Sequence, residues 1–257
     1  MNILCIGDVV GQAGSEHLRK MLPGLKRRLE ADICIVNGEN AAEGNGITPA
    51  AAERLFDAGA DVVTGGNHTF RRPEFYEYLD THPAAIRPAN LPASAPGHGM
   101  YIVDRGRYQV AVINLMGVVY MDPIGCPFET LDRLLNEAGN PKYVLVDFHA
   151  EATAEKKALA FYADGRISAL FGTHTHVPTA DEQILPKGTG YITDLGMTGA
   201  KESVLGIVPK QSIARFRGDP PSRYTDAGGK AKLECATFEI DETTGRCVSV
   251  SVTRISE

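Results

Sequence analysis

The sequence predicts a single α/β domain over residues 1–257, with a mixed core built largely of two sheets. Three observations carry that expectation. Strand and helix patterns alternate through the amino-terminal half, which argues for parallel pairing with helices over the faces. A hairpin pattern interrupts the alternation near the middle. The chain then closes on two strand patterns joined by a polar turn, the signature of an antiparallel pair.

Asn2–Gly7 (NILCIG) is an apolar run that reads as a buried strand, and Glu16–Leu29 as a helix with Leu18, Leu22, Leu25 and Leu29 on one stripe. Asp32–Asn37 is a second strand, Pro49–Asp57 a helix, Asp61–Thr64 a third strand and Arg72–Leu79 a helix. Met100–Val103 and Tyr108–Asn114 flank Asp-Arg-Gly-Arg, a hairpin whose turn uses Gly106. Leu131–Glu137 follows as a helix, Lys142–Asp147 as a strand, Thr153–Tyr162 as a helix capped by Thr153, and Ile167–Phe171 as a strand. Gly190–Thr193, Ala231–Ile240 and Cys247–Arg254 read as antiparallel strands. The last two are joined by the turn Asp241–Arg246, and Gly199–Gly229, rich in Gly, Pro and charge, reads as a long surface excursion.

Composition narrows the function classes. With 43% hydrophobic residues the chain can bury a large core. Its formal net charge of −6 provides no basic field, so stable nucleic-acid binding is not expected and a phosphate-bearing partner must be caught locally. Five scattered cysteines without a CxxC pair fit a reduced compartment better than a disulfide framework. MNILCIGDVVG lacks a basic n-region, and Asp8 breaks its apolar run too early for a signal peptide. No stretch approaches the ~18 apolar residues of a membrane span. The expectation is a cytoplasmic protein with no membrane partner, its oligomeric state open and a homo-oligomer allowed.

The residues that carry chemistry stand immediately after the strands. Asp8 comes after the first (CIGDVVG), Glu39 and Asn40 after the second (VNGEN), Asn67 and His68 after the third (TGGNH). His149 comes after KYVLVD, and His174 and His176 after SALF in GTHTH. Carboxyl ends of strands in an open α/β sheet line one edge, where ligands bind. Five segments would thus bring Asp8, Glu39, Asn40, Asn67, His149, His174 and His176 to one edge as metal ligands. Taken singly, some have structural alternatives: Asp8 as a helix N-cap, Asn67-His68 as a polar turn. Gly7, Gly11 and Gly14 suggest a phosphate loop, but the spacing is not GxGxxG and the anionic Asp8 would repel phosphate unless a cation intervened. His17 is placed on the solvent side of the first helix, His82 and His98 in Pro-rich loops. Phe70, Tyr120 and Phe128 stay open between base stacking and packing, Arg87 and Lys187 between phosphate contact and structural charge.

Imidazole, carboxylate and amide donors together suit Fe, Mn or Zn better than Mg or Ca. Two divalent ions against Asp8 and Glu39 leave a net charge of about +2 for hydroxide and a phosphoryl group. With these residues in place, the sequence resembles the calcineurin-like metallophosphoesterases, and within them the YmdB-type subfamily. The superfamily pattern runs D-x-H, GD, GNH-D/E, H and GHxH. This chain departs from it where Asp8-Val9-Val10 lacks the histidine and Glu39 replaces the aspartate. Those departures mark the YmdB-type branch, whose segments GDVVG, NGENAA, GNHT, RPAN, DFHAEAT, GTHTHV, LPKGT and YITDLGMTG are all present.

The resemblance implies a four-layer αββα sandwich of two mixed sheets flanked by helices. It also implies a centre of two metals, iron foremost and manganese in related proteins. Glu39 would bridge them, with Asp8, Asn40 and His176 completing one site and Asn67, His149 and His174 the other. His68 would be the catalytic proton donor rather than a ligand. The implied activity is hydrolysis of 2′,3′-cyclic nucleotides or similar small phosphodiesters by hydroxide shared between the metals. The alternatives are a phosphomonoesterase or nuclease, and a nucleotide- or RNA-responsive regulator retaining the metal site.

Overall fold

Successive side chains of a strand point to opposite faces, and along Asn2–Ile6 both faces are apolar. Ile3 and Cys5 enter one core while Leu4 and Ile6 enter another. A strand buried on both sides needs a layer on each. The computed structural model, which describes residues 1–220 and 223–257, supplies them. Its elements begin β1 (Asn2–Ile6), β2 (Asp8–Val9), α1 (Gly11–Arg28), β3 (Ile33–Asn37), α2 (Pro49–Ala58), β4 (Val62–Thr64), α3 (Phe75–Thr81) and β5 (Ala85–Ile86). Next come β6 (Met100–Asp104), β7 (Gln109–Met116), α4 (Pro127–Glu137), β8 (Tyr143–His149), α5 (Thr153–Ala163) and β9 (Ala169–Thr173). The remainder is β10 (Gln183–Ile184), β11 (Gly190–Ile192), β12 (Met197–Ala200), α6 (Pro209–Phe216), β13 (Ala231–Ile240) and β14 (Cys247–Ser256).

The first sheet runs β2-β12-β13-β1-β3-β4-β5 with β14 paired to β13, and the second β10-β11-β9-β8-β7-β6. Both are mixed: β1, β3, β4 and β5 are parallel, while β13 is antiparallel to β1 and to β14. In the second, β7, β8 and β9 are parallel and β6 is antiparallel to β7. Ile3, Ile35, Val112, Leu145 and Phe171 fill the space between the sheets. Leu18, Leu22 and Leu55 cover the outer face of the first sheet, and Leu131, Leu134 and Leu159 that of the second. The result is the expected four-layer αββα sandwich. No helix among the described residues is long and apolar enough to cross a membrane.

Several local expectations are corrected. The first helix starts at Gly11, not Glu16, because Gly14 lets it approach β12: a Cβ there would lie 2.2 Å from the Thr198 carbonyl oxygen. Since α1 touches α2, β12 and β13, its buried arc is wide. It takes in His17, which is 3% exposed rather than on the solvent side. Thr153 does not cap α5, whose N-cap is Ala152 without a side-chain bond. β11 pairs parallel with β9 and antiparallel only with β10. The segment 199–229 is not all excursion, since it ends β12 and contains α6. The hairpin holds, with Gly106 at φ 75°.

Candidate metal centre

The parallel strands β1, β3 and β4 all end at one edge, and β8 and β9 end opposite them. Asp8, Glu39 and Asn67 therefore meet His149 and His174 across the gap between the sheets. Asp8 Oδ1 lies 3.6 Å from His176 Nε2 and 3.9 Å from His149 Nδ1, and its Oδ2 accepts the His174 backbone N–H at 3.1 Å. Glu39 Oε1 accepts from Asn40 Nδ2 at 2.7 Å, while Oε2 lies 3.3 Å from His149 Nε2 and accepts the His68 backbone N–H at 2.8 Å. All seven candidate ligands are thus brought together, and His68 stands among them. His174 and His176 reach in through left-handed backbone, φ 99° and 62°. That conformation costs a non-glycine residue about 1–3 kcal/mol and clusters at functional sites.

Burial works against charge on Asp8, but His176 beside it holds the carboxyl well below the ordinary carboxylate range. Glu39 is likewise opposed by burial, yet His149 and His68 hold it down to about 2. Burial drives His149 down to about 4, so it is neutral at pH 7 and its contribution to Glu39 is not that of a full positive charge. His176, despite burial, is pushed up to about 9 by Asp8. Both carboxyls are therefore anionic at pH 7 although buried.

This donor set fits cations. Around His149 Nε2 stand Asn67 Oδ1 at 2.9 Å, His174 Nδ1 at 3.1 Å and Glu39 Oε2 at 3.3 Å. One ring proton can satisfy only one of these acceptors. Asp8 Oδ1 is buried with no hydrogen-bond partner, a state that an ion would relieve. Ligand atoms of Asp8, Glu39 and His149 all lie within 4.8 Å of one another. Asn40 presents its amide nitrogen to Glu39 and to His176 Nε2, 3.5 Å away, so ligation through its oxygen requires the amide to turn.

Behind these residues is a layer that sequence reasoning missed. His149 Nδ1 meets Thr173 Oγ1 at 2.9 Å, and that hydroxyl donates to Asp147 Oδ1 at 2.7 Å. Asp147 also accepts from Thr64 at 2.5 Å and Asn37 at 3.0 Å, so one buried carboxyl ties β3, β4, β8 and β9 together. Burial lifts it to about 7 against those hydrogen bonds. Glu151 Oε2 sits 3.1 Å from His174 Nε2, and the Leu205 carbonyl lies 3.1 Å from His176 Nδ1. Asp194 Oδ2 accepts the Thr175 N–H at 3.1 Å and pairs with Lys156 at 2.8 Å, both side chains fully buried. Asp147 and Glu151 flank His149 in DFHAEAT, Thr173 precedes His174 in GTHTHV and Asp194 stands in YITDLGMTG, whereas Lys156 and Leu205 lie outside those segments.

The Lys156–Asp194 pair yields a stability prediction. Lys156→Met leaves a buried carboxylate without its partner and should lower unfolding free energy by about 3–5 kcal/mol in a urea titration. A loss under about 1 kcal/mol would mean that Asp194 takes up a proton instead of standing as an unpaired charge. Among the undecided residues, Arg87 is buried and donates to the carbonyls of Pro88, Ala95 and Pro96, a structural role. Phe70 packs on the first core and edge-on against Tyr76.

Residues 4–253 match the family described as YmdB-like protein. The chain is 45% identical over 251 residues to a Bacillus subtilis (strain 168) protein named 2′,3′-cyclic-nucleotide 2′-phosphodiesterase, covering 97% of this chain and 95% of that one. A Mycoplasma pneumoniae crystal structure described as a novel phosphatase superposes with a TM-score of 0.93 at 35% identity, over 100% of this chain and 93% of that one. A 5′-nucleotidase precursor from Thermus thermophilus shares the fold at 13% identity, with a TM-score of 0.60 over 100% of this chain and 54% of its own. With a family match spanning nearly its whole length and a relative 45% identical across both chains, this chain belongs to the YmdB-like family.

Proposed function

We propose that this chain, as one domain, is a dinuclear-metal phosphodiesterase that hydrolyses 2′,3′-cyclic nucleotides or similar small phosphodiesters in the cytoplasm. The observation that carries the reading is how its three histidines are held. Each has one ring nitrogen fixed from outside, by Thr173, Glu151 or Leu205, and the other turned into the centre. Metal-ligating histidines are oriented in this way. Glu39 with Asp8, Asn40 and His176 would hold one ion, and Glu39 with Asn67, His149 and His174 the other. Iron is the expected metal, with Mn or Zn as substitutes. When bound, the ions supply positive charge for phosphoryl oxygens and a water-derived nucleophile at neutral pH.

The protein's own part is positioning and proton transfer. Asn40 and Asn67 contribute donors without negative charge, which preserves attraction for phosphate. His68 Nδ1 lies 2.8 Å from Asn40 Oδ1 and 3.1 Å from Glu39 Oε1. Once the Asn40 amide turns for ligation, its nitrogen would face His68 Nδ1 as a donor, which leaves the ring proton on Nε2 for the oxygen leaving phosphorus. The name of the Bacillus subtilis relative supports a cyclic diester as substrate. The cysteines support a reduced compartment: Cys5, Cys34, Cys126, Cys235 and Cys247 are all unpaired.

Iron-, manganese- or zinc-loaded protein should turn over adenosine 2′,3′-cyclic phosphate in preference to the 3′,5′-cyclic isomer and to a phosphomonoester. A preference for the monoester would favour a phosphatase, and tight nucleotide binding without turnover a regulator. His68→Ala should lower kcat by about 10²–10⁴ with metal content unchanged by elemental analysis. Loss of metal in that variant would make His68 a ligand.

A further inference from the structure

A basic cleft lies beside the metal centre and contributes none of its ligands. We propose that it binds a phosphate on the 5′ oxygen of the nucleotide whose 2′,3′-cyclic phosphate occupies the centre, an inference that rests on the cyclic-nucleotide reading above. The cleft has a volume of about 560 Å³ and is lined by Arg54, Arg72 and Arg223, by the acids Glu43 and Asp226, and by Gly44, so the basic groups outnumber the acidic by one.

Chain connectivity places it next to the centre on three sides. Its lining begins at Ala42, two residues past Asn40, and Arg72 is four residues past His68. The anion position over Gly44 is four residues past Asn40, so at about 3.8 Å per residue their Cα atoms are at most about 15 Å apart. The third side descends from Leu205, whose carbonyl orients His176, to Ile207, which is bridged to Asp226.

Its charge is available. Arg105, Arg107, Arg133 and Arg166 form ion pairs with carboxylates among the described residues; Arg54, Arg72 and Arg223 do not. Arg72 is fixed instead by backbone carbonyls, through Nε to Asn45 at 3.0 Å and Nη2 to Glu43 at 2.6 Å, which leave its charge uncompensated. Asp226 is engaged by the Gly44 N–H at 2.9 Å. Nη2 of Arg72 and of Arg223 each lie 4.0 Å from where a Gly44 Cβ would stand. Gly44 has no side chain there, so an anion over its Cα can meet both guanidinium groups, the geometry that phosphate favours. Gln211 braces the far wall, its Oε1 accepting the Thr225 N–H at 2.8 Å and its Nε2 donating to the Arg223 carbonyl at 3.1 Å.

A 5′-phosphate can belong to a free nucleotide or to a short oligonucleotide ending in a 2′,3′-cyclic phosphate. Three substrates separate these for the metal-loaded enzyme: adenosine 2′,3′-cyclic phosphate, its 5′-phosphorylated form, and a dinucleotide with that cyclic end. The 5′-phosphate should lower KM by about tenfold or more. Arg54→Met and Arg223→Met should remove this advantage and leave kcat and KM for the unphosphorylated substrate unchanged; Arg72, which also fastens residues 43–45, is left in place. If the dinucleotide shares the advantage, the site accepts a diester; if not, it selects the free nucleotide. Equal KM with and without the 5′-phosphate overturns the proposal. Affinities of the same compounds for the metal-loaded His68→Ala variant separate this outcome from failure of the parent reading. If wild-type protein hydrolyses none of them while the arginine-dependent preference in binding persists, the cyclic-nucleotide reading falls and the subsite stands.

Discussion

Replacing Glu39 with alanine is expected to empty the centre: bound metal should fall from about two ions per chain to below one, and turnover of a 2′,3′-cyclic diester by more than about a thousandfold. The reason is its place between two groups of donors. Oε1 faces Asn40 and Oε2 faces His149, each group completed by residues from different strands. Without that carboxylate, one side keeps Asp8 as its only anion and the other keeps none. Elemental analysis and a thermal melt with and without added metal check this independently of activity. Ions that bind the folded protein raise its Tm by mass action, so the wild-type shift should vanish in Glu39→Ala. A variant that still binds two ions would remove Glu39 from the bridging role.

The second large effect is expected from a single methyl group. A Cβ on Gly66 would stand 2.3 Å from Glu39 Oε2 and 2.5 Å from His149 Nε2, inside the space where the centre's donors meet. Moving the Glu39 carboxylate does not clear the methyl group, because the buried His149 ring, held by Thr173, must shift as well; both shifts take donors out of the cluster. The expectation is a loss of about 1–3 kcal/mol of stability without metal, and activity reduced by more than about a hundredfold. Gly106→Ala is the control. It has φ 75° but nothing within 4 Å, so it should lose about 1 kcal/mol of stability and no activity. Full activity in Gly66→Ala would place the reacting groups elsewhere.

The candidate ligands are legible in the sequence because chemistry and position coincide. Asp8, Glu39, Asn67, His149 and His174 each stand just past an apolar run or at its end, and such a residue has little reason to be there unless strand ends converge on a ligand. The supporting layer gives no such signal. Asp147 stands inside the predicted strand Lys142–Asp147 and reads as ordinary sheet, Thr173 lies beyond the predicted end at Phe171 with no chemistry of its own, and Asn37 reaches Asp147 across 110 residues of sequence. Their role arises only when the second sheet folds over the first. Asp194 and Lys156 are illegible for the same reason: neither is notable until Gly172–Thr175 is seen to hang between them. His17 misleads because a single leucine stripe does not reveal that α1 buries two neighbouring faces. The direction of β11 escapes because a three-residue strand carries no mark of its partner.

That Glu39 joins two metal positions is tested most directly by anomalous diffraction from crystals of the iron- or manganese-loaded protein. The predicted result is two peaks about 3.5–4 Å apart with the Glu39 carboxylate between them. One peak should be completed by Asp8, Asn40 and His176, with the Asn40 amide turned, and the other by Asn67, His149 and His174. A single peak, or a pair to which Glu39 contributes nothing, would contradict it.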